Sequence, residues 1–505
     1  MAVVVSGEAT VAAAGAPTAA NTIELPRATG IPIVQGQWYF VQESRWLLII
    51  TLAVIVPCAA FAGYEHDSVW IGAGLALTVL IGLHTAFAVS SVPWIPGLII
   101  LVAALQWVLG PWAAYHVTPL LPTFAMAVQA PDYFSYAVPA TLLLALGVYL
   151  PLWRIGRRPV QRTAPSMPTD FVRTCDIMVV VGIGASIIQN TPLPVSLQYL
   201  MLLVGYLGFV GAFGLLLARA PGWGWRLAAV LALRAVLTSS DGMFHDLLLW
   251  IAYTGTLLGF VYRWRVRTLA VLATAALLAM GMLNELKIAY RIEIEENADM
   301  GLAERATILG DAMADQFHQP TSAFHDLGLS HTVARINQGW IISRTLNWVP
   351  AREPFARGET LMTAIRAALL PRFLDPGKYT AGGYWYFERF TGLSMRQTSM
   401  NLSVAGEMYA NFGRNGGLVG VFGFGILLGL VYRVFARWAL ENPLWWAWAP
   451  YVMLYTMQAE NGIGEAVNHV VKSAFVMVAF MSVVPAWAVL RQWHLRRLFR
   501  RAVPT

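Results

Sequence analysis

The sequence predicts an all-α protein that crosses a membrane about twelve times, with one large helical loop between the ninth and tenth spans. Three observations predict this fold class. The 505 residues are 57% hydrophobic and only 12% charged, whereas soluble domains carry about 25% charged residues. Apolar runs of roughly 20 residues, each long enough to cross ~30 Å of hydrocarbon, recur along the chain. A more polar block, residues 287–414, interrupts these runs.

The predicted spans divide the chain into five parts. The spans cover residues 46–64, 69–90, 92–115, 135–153, 174–189, 198–218, 226–240, 243–262, 268–286, 415–434, 446–462 and 467–490. The parts are a flexible cytoplasmic tail (1–44), spans one to nine (45–286), the large loop (287–414), spans ten to twelve (415–490) and a basic cytoplasmic tail (491–505).

Positive charge near the membrane ends sets the predicted orientation, because Lys and Arg accumulate in cytoplasmic loops. With twelve spans, the arginine clusters of the short loops all fall on one side. They contain Arg154, Arg157, Arg158, Arg162, Arg173, Arg219, Arg226, Arg263, Arg265, Arg267, Arg433, Arg437 and the arginines of the C-terminal tail. We therefore expect both termini in the cytoplasm and residues 287–414 outside. High Ala, Arg and Trp usage favours a bacterial inner membrane, which places this loop in the periplasm.

Several other functions and sites are disfavoured by the composition. The net charge of +7 does not indicate nucleic-acid binding, because most arginines lie at predicted membrane edges rather than on a soluble face with stacking aromatics. The two cysteines, Cys58 and Cys175, lie in or beside predicted spans and are interpreted as packing residues. The large loop has no paired-acid DxD motif, so neither a metal nor another cofactor is expected.

The large loop carries the residues that suit a phosphorylated sugar. Helices are predicted over 287–317, 332–345 and 358–370, followed by an aromatic patch from Tyr384 to Phe390. Its cations include Arg291, Arg335, Arg344, Arg372 and Lys378. The planar guanidinium group binds two phosphate oxygens at once, and sugar rings stack on aromatic faces. The alternative is a structural cap whose arginines pair with its own acids.

The order of these segments resembles the O-antigen polymerase (Wzy-type) and oligosaccharide repeat-unit polymerase families, over about residues 230–435. The matching pieces are KIAYR (287–291), an arginine-bearing helix around Arg335, the turn LPRFLDPGKY (370–379) and GEMYANFGRNGG (406–417), which opens the next span. Upstream, LTSSDGMFHDLLLW (237–250) lies where such proteins often carry a short polar interruption. Relatives often place an arginine in that interruption, and the nearest arginine in this chain is Arg234.

The resemblance implies a GT-C-like, metal-independent membrane glycosyltransferase. Such an enzyme polymerises undecaprenyl-diphosphate-linked oligosaccharide repeat units into a cell-surface polysaccharide or exopolysaccharide. The growing chain leaves its lipid diphosphate and joins the sugar terminus of a new lipid-linked unit. The implied partners are these lipid-linked donor and acceptor substrates and the lipid bilayer. A chain-length regulator and a flippase are further candidate partners.

Transfer from a diphosphate requires cations that stabilise the leaving group and a base that takes the proton of the acceptor hydroxyl. Arg291 and Arg372 are the predicted catalytic cations, and Glu407 is the predicted base. The alternative role of Glu407 is that of an acid near the N-terminus of a helix. The predicted substrate-binding residues are Arg335, Arg344, Lys378, Tyr409, Asn411, Arg234, Asp241 and His245.

Ionisable residues inside predicted spans indicate functional sites by default. Besides the residues above, they include Asp246, Glu460, Glu465, His469 and Lys472. Glu460, Glu465 and His469 are expected at the outer turn between the last two spans, where they would either line a cavity beneath the loop or be solvated at a helix end.

Three rival functions remain open from the sequence. A ligase-like transferase would move glycan from the same carrier onto another lipid. A secondary transporter or flippase would also have many spans, but such proteins often consist of two related halves, and the block at 287–414 has no counterpart in the first half. A non-catalytic scaffold for polysaccharide assembly would not need charges inside the spans.

Overall fold

The structure is a computed structural model that describes residues 68–116, 124–152, 169–240, 245–265, 267–269, 271–272, 336–370, 385–394, 400–440 and 442–484, together with residues 57, 60, 307, 333, 334, 375 and 377. In these parts of the chain every regular element is a helix, which agrees with the predicted all-α fold. The predicted spans 46–64 and 268–286, the helix expected over 287–317 and both terminal tails lie almost entirely outside the described residues.

Fourteen α-helices are described in this part of the chain. In order they are α1 (Val69–Val89), α2 (Ile95–Ala104), α3 (Gly110–His116), α4 (Ala130–Tyr149), α5 (Thr169–Gln189), α6 (Val195–Leu217), α7 (Trp223–Ser240), α8 (His245–Tyr262), α9 (Gly339–Trp348), α10 (Glu359–Leu369), α11 (Trp385–Thr391), α12 (Ser403–Ala439), α13 (Trp448–Met453) and α14 (Ile463–Val483). A π-helical turn (Leu105–Leu109) joins α2 to α3, and short 3-10 turns occupy Leu150–Leu152, Pro443–Ala447 and Leu454–Thr456.

Seven helical segments are long and apolar enough to cross a membrane, and each coincides with a predicted span. They are Val69–Val89, Ile95–His116, Ala130–Leu152, Asp170–Gln189, Ser196–Leu217, Ser403–Ala439 and Ile463–Val483. The sequence also predicts spans at the positions of α7 and α8, and part of α8 forms a shorter apolar helix. The chain is therefore a helical protein with seven candidate membrane spans among the described residues, and the total of twelve remains a prediction.

The helix α12 begins earlier than the span predicted from residue 415. It is 37 residues long and contains one non-helical residue, Gly413, with φ 68° and ψ −165°. Glycine adopts a positive φ without the steric cost that a side chain brings. Gly413 therefore separates the predicted span 415–434 from an N-terminal helical stretch that carries Glu407 and approaches the loop helices.

The segment 443–462 differs from the continuous span predicted over 446–462. It contains a 3-10 turn, the short α13 and a second 3-10 turn. Pro443 and Pro450 cannot donate the backbone hydrogen bonds of a continuous helix. Residues 443–454 are all buried, and irregular backbone at membrane depth is tolerated where protein surrounds it. The interruption therefore lies inside the protein rather than against lipid.

Side chains from neighbouring helices satisfy carbonyl groups of this interrupted segment. The three hydrogen bonds run from the Tyr253 hydroxyl to Met453 O (2.9 Å), from His469 Nε2 to Tyr451 O (2.9 Å) and from Trp107 Nε1 to Ala459 O (3.3 Å). A buried carbonyl without a partner would be costly. These donors from α8, α14 and the π-helical turn thus allow the chain to leave the helical conformation in the core.

Glycines bring two pairs of helices into backbone contact. A Cβ built on Gly147 of α4 would lie 2.4 Å from a carbonyl oxygen of α12, and one on Gly425 of α12 would lie 2.6 Å from a carbonyl oxygen of α4. Gly182 and Gly208 make a similar close contact between α5 and α6. Small residues at such positions let membrane helices approach closely and gain packing energy.

The loop helices α9, α10 and α11 lie at the N-terminal ends of α12 and α14. The helix α9 packs against α11 and α12, while α10 packs against α14. Trp340, Phe387 and Phe390 belong to a hydrophobic cluster separate from the main core. The structure places helices at Gly339–Trp348 and Glu359–Leu369, close to two of the three helices predicted for this block.

Candidate functional site

A narrow cleft lies where α10 and α11 meet the N-terminal ends of α12 and α14. Its lining residues are Thr360, Ala364, Tyr386, Phe387, Asn401, Leu402, Glu407, Gly462, Gly464 and Glu465. The cleft thus combines two carboxylates with a hydroxyl, a phenol and an amide. The cleft lies at the N-terminal ends of two candidate spans, α12 and α14.

Glu407 connects three helices through its carboxylate and is only 7% exposed. Its Oε2 accepts a hydrogen bond of 2.7 Å from the backbone N–H of Ile463, the first residue of α14. The Thr360 side chain of α10 forms another hydrogen bond with the same carboxylate. The carboxylate therefore lies near the positive end of the α14 dipole, where a negative charge is favourable.

Glu465 brings a second carboxylate to the same place. It lies in the first turn of α14 and is more exposed than Glu407. A Cβ built on Gly462 would lie 2.9 Å from Oε2 of Glu407 and 2.9 Å from Oε2 of Glu465. Glycine at position 462 thus leaves room for the two acids to approach one another across the cleft.

Asn411 is fully engaged by hydrogen bonds within the protein. Its Oδ1 accepts from the backbone N–H of Gly358 (2.9 Å), and its Nδ2 donates to Thr360 Oγ1 (2.7 Å) and to the carbonyl oxygen of Glu407 (2.8 Å). The side chain is buried. In this conformation Asn411 positions Thr360 and Glu407, and its role in binding substrate stays a prediction.

Tyr409 and Arg344 lie near the cleft-forming helices but not on the cleft wall. The ring of Tyr409 is half-buried and packs edge-on against Tyr136 and Phe355, with centroids 5.3 Å and 6.2 Å away. Arg344 is half-buried on α9. Their predicted roles in binding substrate remain predictions.

Tyr386 of α11 provides a phenol to the cleft wall. Partial burial raises the pKa of this phenol. The carboxylates of Glu359 and Glu407 also raise this pKa, whereas a hydrogen bond with Thr363 and the charge of Arg389 lower it. The net direction is upward, so the phenol stays protonated at neutral pH and can donate a hydrogen bond to a ligand oxygen.

A second polar cluster surrounds Arg234 inside the helical bundle. Its guanidinium lies 2.6 Å from Asp246 Oδ2, which joins α7 to α8. The Tyr206 hydroxyl of α6 donates to the same oxygen at 2.6 Å, and the Tyr455 hydroxyl lies 3.4 Å from it. The ring of Tyr455 is 4.5 Å from that of His469. Arg234 therefore has a carboxylate partner in this conformation, which the sequence did not identify.

Several predicted site residues cannot be placed relative to these two clusters. Arg291, Arg335, Arg372, Lys378 and Asp241 lie outside the described residues, and the side chain of His245 is likewise not described. The structure therefore brings together Glu407, Asn411 and Glu465 among the residues that the sequence singled out, with Arg234 in a separate cluster.

Sequence reasoning missed Thr360, Gly462 and Ile463, which define the cleft together with Glu407. The isolated glycines in QAENGIGEAVNH (458–469) gave one signal, since glycine permits close approach of other groups. Nothing in the local sequence links Thr360 to Glu407, because their contact depends on the packing of α10 against α12. No family model matches the chain, and no curated protein and no solved structure matches it.

Proposed function

We propose that this protein is a membrane glycosyltransferase that polymerises undecaprenyl-diphosphate-linked oligosaccharide repeat units. The observation that carries this proposal is the cleft that Glu407, Glu465 and Tyr386 line together at the start of two candidate spans. A carboxylate can accept the proton of a sugar hydroxyl, while a phenol can donate to a sugar oxygen. The resemblance of the four sequence motifs to oligosaccharide polymerases supports the same function.

The proposed reaction transfers a glycan between two lipid carriers. The acceptor hydroxyl loses its proton to a cleft carboxylate as its oxygen bonds to the anomeric carbon of the donor. The bond from that carbon to the diphosphate breaks, and the leaving lipid diphosphate takes the electron pair. Arg291 and Arg372 are proposed to stabilise the charge that develops on this leaving group.

The proposed topology has twelve spans, both termini in the cytoplasm and residues 287–414 on the periplasmic side of a bacterial inner membrane. The seven candidate spans and the arginine-rich short loops support it. Labelling of single cysteines with an impermeant reagent in intact spheroplasts tests this topology. Labelling at Ala351 and protection at Arg158 until lysis are expected, and the reverse pattern would refute it.

Carboxamide substitutions test the role of the cleft in catalysis. Purified protein in nanodiscs is incubated with lipid-linked repeat units, and the polymer is resolved by gel electrophoresis. If a cleft carboxylate is the base, Glu407→Gln or Glu465→Gln lowers the rate by roughly 10²–10⁴-fold. Glu388→Gln is the matched control, since Glu388 lies on α11 but not on the cleft wall. Normal polymer from both cleft variants would refute this site.

Alanine substitution of Arg291 and Arg372 tests the predicted cations separately. Both variants are expected to lose polymer while expression remains normal. The product of the unmodified protein distinguishes the two transferase functions. Polymer on undecaprenyl diphosphate identifies a polymerase, and polymer on lipid A core identifies a ligase.

The buried pair of Arg234 and Asp246 favours a second candidate function, a secondary transporter, because charges among membrane helices often line ion or substrate pathways. Uptake of radiolabelled lipid-linked sugar or solute into vesicles tests it. Uptake that stops in an Arg234→Gln variant, with no polymer formed by the unmodified protein, would favour transport.

A further inference from the structure

The helix α10 has two faces of opposite character. Thr360, Ala364, Ala367 and Ala368 are buried on the side that packs against α14, and the first two line the cleft. On the opposite side, Met362, Ile365 and Leu369 are 67%, 46% and 63% exposed. Their spacing of three and four residues places them along one side of the helix. A single helix therefore separates the cleft from an exposed apolar surface.

Other large apolar side chains are exposed on the helices around α10. Trp385 at the start of α11 is 61% exposed, and Phe412 of α12 is 42% exposed. The Phe412 ring lies 3.6 Å from the position of a Cβ built on Gly358, directly before α10. Further along α12, Val419 is an exposed residue of the candidate span. Several large apolar side chains exposed on and around one helix indicate contact with a membrane or a partner.

The position of α10 beside a candidate span favours the membrane rather than a protein partner. The helix packs against α14, and its residue Thr360 bonds the same carboxylate that accepts the N–H of Ile463, where the candidate span begins. Arg357, which is exposed, lies two residues before α10. Arg366, at the edge of the apolar face, is also exposed and pairs with Asp375 at 2.6 Å. Basic residues beside an apolar helix face are typical of helices that lie in the plane of a membrane surface.

We propose that α10 lies in the plane of the bilayer, with Met362, Ile365 and Leu369 inserted between the lipid headgroups and the start of the acyl chains. The leaflet is the one at which α14 begins. The cleft on the other side of α10 then opens at headgroup depth. A ligand carried by a lipid could enter it without leaving the membrane surface. This inference does not depend on the reaction that the protein catalyses.

Fluorescence quenching in nanodiscs tests the depth of α10. Single cysteines replace Met362, Ile365 or Leu369 in full-length protein in which Cys58 and Cys175 have been replaced, and each is labelled with an environment-sensitive dye. Ala351→Cys is the aqueous control and Val419→Cys the in-span control, since both positions are exposed. Each variant must elute as the unmodified protein does on size exclusion.

Lipids with a doxyl group near the headgroup should quench the three α10 labels more strongly than the Ala351 label. Aqueous iodide should show the opposite order. Lipids with a doxyl group deep in the acyl chain should quench Val419 more than the α10 labels. Strong iodide quenching of all three α10 labels without doxyl quenching would overturn the proposal. A disulfide between two copies of the unlabelled Met362→Cys variant, together with low iodide quenching of the other two α10 labels, would also overturn it. That result would assign the exposed face to a dimer.

Discussion

The carboxylate of Glu407 accepts a hydrogen bond from the backbone N–H of Ile463, 56 residues later in the chain, at 2.7 Å. This contact joins the N-terminal stretch of α12 to the first residue of α14. The Thr360 hydroxyl adds α10 to the same junction. Glu407 therefore has a structural role in holding the cleft, in addition to the catalytic role proposed for the cleft carboxylates.

Replacing Glu407 should reveal this structural role. Glu407→Ala removes the acceptor of the Ile463 N–H, and a buried unpaired group costs about 1–3 kcal/mol. Thr360 also loses its hydrogen bond with the carboxylate but keeps the one from Asn411. Glu407→Gln keeps an oxygen that can accept and should cost less. Chemical unfolding in detergent micelles measures both free energies. Glu388→Ala, at a partly exposed position on α11, should stay within about 0.5 kcal/mol. Equal stability of Glu407→Ala and Glu388→Ala would contradict this role.

Two glycines of α12 should respond differently to the same substitution. Gly425→Ala places a Cβ 2.6 Å from the carbonyl oxygen of Leu144, so α4 and α12 must separate. We expect a loss of about 1–3 kcal/mol, typical of overpacking. Gly423→Ala meets nothing within 4 Å and should change the stability by less than about 1 kcal/mol. The unfolding temperature of each variant in detergent gives the comparison. A lower unfolding temperature for the variant at 423 than for that at 425 would show that this contact is not important.

The helical spans could be predicted because their signal is local. A run such as Val69–Val89 is apolar and long enough to span by itself, and the structure places a helix there. The interruption at 443–456 could not be predicted in the same way. The hydropathy of the segment around Trp445 and Tyr451 is high enough to predict a membrane span. It does not record that the Tyr253 hydroxyl, 200 residues away in the chain, donates a hydrogen bond to the backbone carbonyl of Met453.

The candidate site could be predicted only in part, for the same reason. Glu407 was identifiable because an acid beside glycines follows a polar block. Its partners were not, because Thr360 and Ile463 reach it only through the packing of α10 and α14 against α12. Similarly, the charge of Arg234 was visible in the sequence, while its alignment with Asp246 depends on the relative rotation of α7 and α8.

The ion pair of Arg234 and Asp246 should show strong energetic coupling. Both side chains are mostly buried, at 13% and 19% exposure. Removing one partner of a buried pair leaves an uncompensated charge and costs about 3–5 kcal/mol. The double variant Arg234→Met with Asp246→Leu should cost less than either single change. Unfolding of the four proteins gives a double-mutant cycle.

The pair of Arg226 and Asp176, also in contact, is the matched control for that cycle. Asp176 is 38% exposed, so solvent weakens the interaction, and a coupling of about 1 kcal/mol or less is expected. Similar coupling in the two pairs would indicate that burial does not determine the strength of the Arg234 pair.

Arg389 should control the order of the loop helices more than the stability of the whole protein. Its guanidinium contacts Glu353 at 2.6 Å and Glu359 at 2.8 Å, which ties α11 to the start of α10. Partial burial alone would lower the pKa of Arg389, but hydrogen bonds and charge from the two glutamates raise it above its usual value. Arg389→Ala should therefore increase amide hydrogen exchange across residues 353–369, with a loss of about 1 kcal/mol in local opening. Arg352→Ala, which removes only a stacking contact with Trp348, should leave exchange in α10 unchanged. If both variants exchange α10 at the same rate as the unmodified protein, the ion pairs do not hold this helix, and its packing against α14 alone must do so.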